Sequence, residues 1–199
     1  MLSALADGSE QTRGWCQMFL PDRATNEEWL GVVIAVPEPW NAQITEIRQA
    51  IGDPMALSVP PHVTLMPPLA VDQGIRAEVF EHLRKVASSS KPFQLELAGS
   101  GSFEPVSPVS FLQVIKGAKH CAQLAEDIRS GPLDYSLRFP YHAHVTLAQK
   151  LPAAALQEAL ELGRKFSAQW MVQGFRVDRV ESNGSYISTA LFDFSTTGA

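Results

Sequence analysis

Apolar residues follow a strand pattern and then a helix pattern near the start of the chain. Residues 30–36 form a β-rich apolar run that ends before Pro37. The next apolar residues recur at the spacing of one helix face, at Ile44, Ile47 and Ile51. Asn41 is suited to cap this helix and Gly52 to end it. A strand followed by a helix is therefore predicted.

The same order of elements returns after residue 60. Residues 62–65, with the sequence His-Val-Thr-Leu, predict a short strand that Pro67 and Pro68 close. A helix is expected from about Asp72, because apolar residues recur at Ile75, Val79, Leu83 and Val86. Residues 93–97 alternate in polarity as a half-buried strand does, and a loop is expected at residues 99–102.

The second half of the chain repeats this order. Residues 111–115 predict a strand, and a helix with Cys121, Leu124 and Ile128 on its apolar face is expected to end at Gly131. His-Val-Thr-Leu then recurs at residues 144–147, and a helix is expected from Pro152 to Gly163. Two last strands, at residues 175–180 and 186–194, are joined through Asn183-Gly184, which is a strong hairpin signal.

An internal repeat explains the two identical tetrapeptides. Their offset is 144 − 62 = 82 residues, and the same offset places Phe93 on Phe175 and Leu95 on Val177 without a gap. A repeat of this kind predicts two similar lobes related by a pseudo-two-fold axis, each contributing one motif to a shared cleft.

Composition indicates a globular protein. With 199 residues, 45% of them hydrophobic, the chain is long enough to bury a core as one domain or two tightly joined lobes. Residues 1–28 are expected to form a partly ordered arm and residues 29–195 a two-lobed domain with intertwined lobes. The first residues lack a basic region followed by an apolar one, and no later window is long enough to span a bilayer. A cytoplasmic protein without a membrane partner is therefore expected.

Charge and cysteine usage narrow the function classes. A net charge of −5 argues against a protein that coats long nucleic acid, because that mode of binding needs many Lys and Arg contacts to phosphates. A small nucleotide or the end of one RNA strand remains a compatible partner. Cys16 and Cys121 have no spacing or His partners that would indicate a disulfide framework or a zinc site.

The tetrapeptides place chemistry on one face of each strand. Side chains at positions i and i+2 of a strand point to the same face, so His62 projects with Thr64, and His144 with Thr146. His142 has the same parity as His144 and is a candidate for the rim of the cleft. The Val and Leu residues of both motifs point into the core.

Two imidazoles across a cleft can act together on a phosphodiester. A neutral His takes a proton from the attacking water or hydroxyl, while a protonated His gives one to the departing oxygen. Thr64 and Thr146 can donate hydrogen bonds to the non-bridging phosphate oxygens. No metal and no cofactor is expected, because the chain lacks clustered carboxylates and a Gly-x-x-x-x-Gly-Lys loop. Asp53, Asp72 and Asp134 are each interpreted as cap or turn residues.

A structural interpretation of the motifs remains open. A single His on a strand is more often a packed residue than a catalyst. Two identical settings at equivalent positions favour catalysis, although a repeat would also preserve a structural His-Thr pair.

These residues resemble the two-histidine phosphoesterase superfamily, especially its bacterial RNA 2′,5′-ligase-like and cyclic phosphodiesterase branch. The resemblance rests on Pro-Pro-His62-Val-Thr64-Leu-Met-Pro-Pro and Tyr141-His-Ala-His144-Val-Thr146-Leu-Ala, which look like the paired His-x-Thr/Ser-hydrophobic motifs of that family. It implies a bilobal α+β fold, with antiparallel sheets lining a central cleft and helices outside. It also implies His62 and His144 as the acid-base pair, and Thr64 and Thr146 as ligands of the phosphate oxygens.

The resemblance further implies metal-free opening of 2′,3′-cyclic phosphates or related 2′,5′ linkages. Which His acts as the base stays open. Candidates to stack on a base or hold a phosphate at the cleft rim are Phe103, Arg138, Tyr141, His142 and Tyr186, although ordinary packing is at least as good an interpretation of Phe103 and Tyr186. The acidic charge favours a small cyclic phosphate over RNA. The alternative function is a catalytically silent nucleotide- or phosphate-binding module of the same fold.

Overall fold

The structure, a computed structural model, describes residues 20–195. This part of the chain contains four α-helices and eight strands. The helices are α1 (Trp40–Ala50), α2 (Arg76–Ser89), α3 (Ala118–Ile128) and α4 (Ala153–Gly163). The strands are β1 (Glu27–Ala35), β2 (His62–Asp72), β3 (Phe93–Ser102), β4 (Val109–Lys116), β5 (His144–Gln149), β6 (Ser167–Val172), β7 (Gly174–Val180) and β8 (Tyr186–Asp193).

All eight strands belong to one antiparallel sheet in the order β6-β3-β4-β5-β2-β1-β7-β8. We call β2, β1, β7 and β8 the His62 half of the sheet, and β5, β4, β3 and β6 the His144 half. The two halves meet where Val63 of β2 pairs with Val145 of β5. β3 follows β2 and α2 in the chain but pairs with β4 and β6, so each half contains a strand from the other repeat. The predicted α+β fold with a pseudo-two-fold repeat is confirmed, although its two sheets are joined into one.

The helices and the apolar side chains of the sheet form the core. Val63, Leu65, Val145 and Leu147 of the two motifs are buried, whereas the His and Thr residues between them are only partly buried. α3 contacts β2, and α4 contacts β4 and β5, so helices cover the buried face of both motif strands. The alternation of the motifs therefore directs their polar residues to the face opposite the helices.

Two predicted boundaries are wrong. β2 does not stop at Pro67-Pro68 but continues to Asp72, because its pairing with β1 shifts register there and β5 pairs with β2 only around Val63. Proline lacks an N–H donor and is tolerated at such a bulge or open edge. β3 likewise runs through residues 99–102 instead of ending in a loop, because β4 pairs with that segment.

Two local assignments also differ from the structure. Asn41 does not cap α1, which begins at Trp40; its amide donates to the Val36 carbonyl oxygen instead. β6 is a strand that the periodicity did not predict. It lies at the sheet edge and pairs only with β3 among the described strands. Its burial alternates, but the apolar Met171 lies on the exposed side and interrupts the alternation of polarity in the sequence.

Other turn and end signals are confirmed. Gly184 has φ = 84° in the β7–β8 hairpin, and Gly52 has φ = 76° at the end of α1, a backbone conformation that glycine adopts without strain. Cys121 is a buried free thiol. No helix within residues 20–195 is long and apolar enough to cross a membrane. Residues 1–19 of the predicted N-terminal arm lie outside the described residues, and the division at residue 28 stays a prediction.

Candidate active site

The pairing of β2 with β5 brings the two His-Val-Thr-Leu motifs together. Because the strands are antiparallel and Val63 lies opposite Val145, His62 falls opposite Thr146, and Thr64 falls opposite His144. Residues opposite one another in a regular antiparallel pair have Cβ atoms about 5 Å apart and share a face. The four polar side chains thus form a quartet around the pseudo-two-fold axis, with the two His on one diagonal and the two Thr on the other.

Both imidazoles are oriented by the same backbone contact. Nδ1 of His62 lies 2.7 Å from the carbonyl oxygen of Pro60, and Nδ1 of His144 lies 2.7 Å from that of His142. A carbonyl oxygen can only accept, so Nδ1 carries the hydrogen in each ring. In the neutral ring Nε2 is then the acceptor, which leaves it available to take a proton from a bound molecule.

Burial lowers the pKa of both histidines. For His62 the pKa falls to about 4, because the loss of water around the ring outweighs the Pro60 carbonyl and the Asp178 carboxylate, which both raise it. Arg176 and Arg48 lower it further. Burial also lowers the pKa of His144, opposed by the His142 carbonyl and reinforced by the His142 ring. Near neutral pH, both rings are consequently neutral in the unliganded protein.

Aromatic rings surround His144. The Phe103 ring meets it edge-on at 4.9 Å between ring centroids, Phe111 lies at 5.3 Å, and the exposed His142 at 5.9 Å. Phe103 and Phe111 also contact each other at 4.3 Å. Phe103 and His142, both predicted for the cleft rim, are therefore placed beside one member of the quartet, together with Phe111, which the sequence analysis did not single out.

His62 has a different environment. Tyr186, from the start of β8, stacks on it at 5.4 Å between ring centroids. The loop that supplies the Pro60 carbonyl is held by Arg48, which donates to the Asp53 carboxylate at 2.8 Å and to the Val59 carbonyl oxygen. Asp53 is thus a turn residue, accepting from the Met55 N–H as predicted, and also half of a largely buried ion pair.

Two other predicted rim residues have separate roles. The Tyr141 hydroxyl donates to the Thr64 carbonyl oxygen at 2.9 Å, and so links the segment before β5 to β2. Burial raises the pKa of Tyr141, so that hydroxyl keeps its proton. Arg138 is exposed and lies over the Phe139 ring, with 5.2 Å from its guanidinium carbon to the ring centroid.

Arg176 and Asp178 of β7 form a bidentate ion pair that the sequence analysis missed. The sequence does contain a signal for this pair, because opposite charges two residues apart in a strand share a face. The face on which they lie depends on the pairing of β7 with β1, which the sequence pattern does not contain.

Comparison with known proteins places the chain in a family. Residues 36–182 match the family model described as the 2′-5′ RNA ligase superfamily. The chain belongs to this superfamily. A curated relative from Bacillus cytotoxicus, provisionally named a phosphoesterase, is 32% identical over 135 residues, which cover 68% of this chain and 76% of the relative. One from Bacillus licheniformis, named in the same way, is 34% identical over 99 residues, covering 50% of this chain and 58% of the relative.

A solved structure shares the fold. Escherichia coli LigT, crystallised with 3′-AMP, superposes with a TM-score of 0.59 at 18% identity, covering 85% of this chain and 99% of LigT. The family match and the curated relatives confirm the resemblance stated from the two motifs, and at a coarse level the chain is a phosphoesterase of the two-histidine superfamily. Among the described residues, no group of three or more His, Cys, Asp or Glu side chains is placed to hold a metal ion.

Proposed function

We propose that this chain is a metal-independent hydrolase that opens nucleoside or RNA-terminal 2′,3′-cyclic phosphates with His62 and His144 as its acid and base. The observation that carries the proposal is the equivalence of the two rings. Each has its Nδ1–H held by a carbonyl two residues earlier, each has its Nε2 available, and each lies opposite a Thr of the other motif.

The reaction needs two proton transfers at one phosphorus atom. One neutral His accepts a proton from water as its oxygen bonds to phosphorus. The bond from phosphorus to one ribose oxygen breaks, and the other His, in its protonated form, gives that oxygen a proton. Thr64 and Thr146 donate to the two non-bridging oxygens as negative charge grows on them. The rings exchange roles relative to the starting state, and a proton exchanged with solvent restores them.

A bound anionic substrate favours the protonated form of one imidazole. Burial alone favours the neutral form of both histidines, whereas a nearby negative charge favours the protonated form of an imidazole. A phosphate bound between the rings therefore raises the pKa of both and allows one of them to hold the proton that it later donates.

Two further observations support this class of substrate. The fold relative LigT was crystallised with 3′-AMP, a nucleoside phosphate of the kind that such an opening would produce. The net charge of −5 favours a small substrate or one RNA end over extended nucleic acid.

The proposal is tested by turnover of nucleoside 2′,3′-cyclic phosphates in excess chelator, with wild type, His62→Ala and His144→Ala. Each substitution is expected to lower kcat by about 10²- to 10⁴-fold. His120→Ala is the matched control, because His120 is exposed on α3 and stacks on Phe93 outside the quartet. Equal turnover in all four proteins would overturn the catalytic roles. Binding of a nucleoside 3′-phosphate without turnover of any cyclic phosphate would identify a silent binding module instead.

A further inference from the structure

A buried ion pair lies in the His62 half of the sheet. The Asp178 side chain is 0% exposed, and Nε and Nη2 of Arg176 donate to its two oxygens at 2.6 and 2.8 Å. This fork-on-carboxylate geometry fixes the plane of the guanidinium as well as its position. Burying a whole carboxylate is unfavourable unless a partner compensates its charge. Apolar residues at these two positions of β7 would avoid this loss of hydration free energy, so the ion pair is not explained by stability alone.

The strand register places this pair on the face of the quartet. Val33 of β1 lies opposite Thr64 on one side and opposite Arg176 on the other. Residues opposite one another share a face, so Arg176, two strands away, points to the same side as Thr64. The charges of Arg176 and Asp178 both act on His62, which agrees with this placement.

Arg176 has N–H donors that Asp178 does not occupy. A guanidinium carries five N–H groups, and the carboxylate of Asp178 occupies one on Nε and one on Nη2. Within residues 20–195, Arg129 Nε is the one buried side-chain nitrogen or oxygen that has no hydrogen-bond partner. Nη1 of Arg176, which makes no hydrogen bond to these residues, is therefore not fully enclosed, and the side chain as a whole is 17% exposed. A guanidinium edge held by a buried carboxylate and open on its other side is a preorganised site for an anion.

The other repeat has no counterpart of this pair. The offset of 82 residues matches Arg176 to Gln94 and Asp178 to Glu96. Gln94 is engaged with other side chains: its amide donates to Gln169, and its oxygen accepts from Lys116. The arginine thus breaks the pseudo-symmetry. A phosphate on the axis can be held symmetrically, but the remainder of a nucleotide must extend to one side.

Space for a further group lies beside Arg176. A cavity of about 480 Å³ is lined by Ala35, which is opposite His62 in the β1–β2 pair, and by Arg176, Trp170 and Leu191. Binding sites for small molecules have volumes of about 300–1,000 Å³. Trp170, stacked on Trp40, gives this cavity an aromatic wall.

We infer that Arg176 binds a second phosphate group of the substrate while the quartet holds the phosphate that reacts. The inference rests on the proposed function and narrows its substrate class. The substrate is a 2′,3′-cyclic phosphate that carries a further phosphate, either the 5′-phosphate of a single nucleotide or the phosphodiester that leads into an RNA chain.

The test compares kcat/KM for three substrates: a nucleoside 2′,3′-cyclic phosphate, its 5′-phosphorylated form, and a dinucleotide that ends in the cyclic phosphate. In wild type the second phosphate is expected to raise kcat/KM about tenfold, the value of one hydrogen bond to a charged group. If the 5′-phosphorylated substrate has the higher kcat/KM, the second phosphate is the 5′-phosphate of a single nucleotide. If the dinucleotide has the higher kcat/KM, it is the phosphodiester that leads into an RNA chain.

Arg176→Gln is expected to reduce this ratio of kcat/KM values to about one, and Arg176→Lys to leave part of it, because lysine keeps the charge without the planar fork. Arg179→Gln is the matched control. Arg179 lies on the same strand with opposite parity, is 45% exposed and pairs with Glu181, so its loss leaves the ratio as in wild type. An unchanged ratio in Arg176→Gln would overturn the inference.

Loss of Arg176 leaves the Asp178 charge buried and unpaired, which threatens folding. The double variant Arg176→Gln/Asp178→Asn removes both charges and keeps two hydrogen-bonding side chains. It is expected to unfold cooperatively in thermal circular dichroism and to show the same loss of the ratio. A folded double variant that retains the wild-type ratio would count against Arg176 as the second phosphate site.

A binding measurement separates this inference from the proposed function. Calorimetry on the wild type and on Arg176→Gln compares a nucleoside 3′,5′-bisphosphate with the nucleoside 3′-phosphate. Tighter binding of the bisphosphate that depends on Arg176, without turnover of any cyclic phosphate, would support the site and overturn the hydrolase. Turnover of a cyclic phosphate together with equal affinity of the wild type for both nucleotides would support the hydrolase and overturn the second phosphate site.

Discussion

Tyr141→Phe tests how the two motif strands are held in register. β2 and β5 share a single ladder pair, Val63 with Val145, so the hydrogen bond from the Tyr141 hydroxyl to the Thr64 carbonyl oxygen is a second link between them. The substitution removes one oxygen atom and leaves the ring in place. It therefore tests this hydrogen bond with little change in packing.

The expected cost follows from the partial burial of the contact. A hydrogen bond contributes about 0.5–1.5 kcal/mol net, and an acceptor left without a partner in a buried place costs about 1–3 kcal/mol. Because this hydrogen bond is partly buried and water can reach some of its surroundings, we expect a loss of about 1 kcal/mol in the free energy of unfolding. For a chain of 150–250 residues that corresponds to a fall in Tm of about 2–4 °C.

Urea unfolding followed by circular dichroism measures the loss, and kcat/KM for a cyclic phosphate measures the position of Thr64. Both are expected to fall. Tyr135→Phe makes the same chemical change at a side chain that is 37% exposed in the preceding loop, and is expected to stay within about 0.5 kcal/mol of wild type. If Tyr141→Phe matches the control in stability and activity, the hydroxyl does not hold the strands together.

Two further predictions concern protonation and packing. The value of kcat/KM reports the free enzyme, in which one His must be protonated to act as the acid, and burial lowers the pKa of both. As the pH rises, kcat/KM is therefore expected to decline already below pH 6.5, the ordinary pKa of His, and on the acid side only as the pH approaches the His62 pKa of about 4. A pH–rate profile that stays flat between pH 5 and 8 would contradict this. Gly174→Ala places a Cβ 2.3 Å from the Phe192 carbonyl oxygen and is expected to cost about 1–3 kcal/mol or more in chemical denaturation, whereas Gly52→Asn, at φ = 76° with open space around it, is its milder comparison.

The sequence pattern alone determined the polarity of each motif strand and the existence of the repeat. Alternation in a strand follows from local backbone geometry, so His62 and Thr64 share a face whatever the rest of the chain does. The offset of 82 residues and the ends of most helices are likewise local or internal properties of the chain. Helix positions such as α3 and α4 therefore followed from apolar spacing, glycine and proline.

The tertiary structure decided which residues meet across the sheet. Pairing of strands far apart in sequence depends on the free energy of the whole core, and the same alternation is compatible with many strand orders. β2 passed through Pro67-Pro68 because of a register shift and an open edge, neither of which the sequence displays. Tyr186 reached His62, and Arg176 reached the face of the quartet, only through the order β2-β1-β7-β8. Local geometry thus set the direction of each side chain, and long-range pairing set its neighbours.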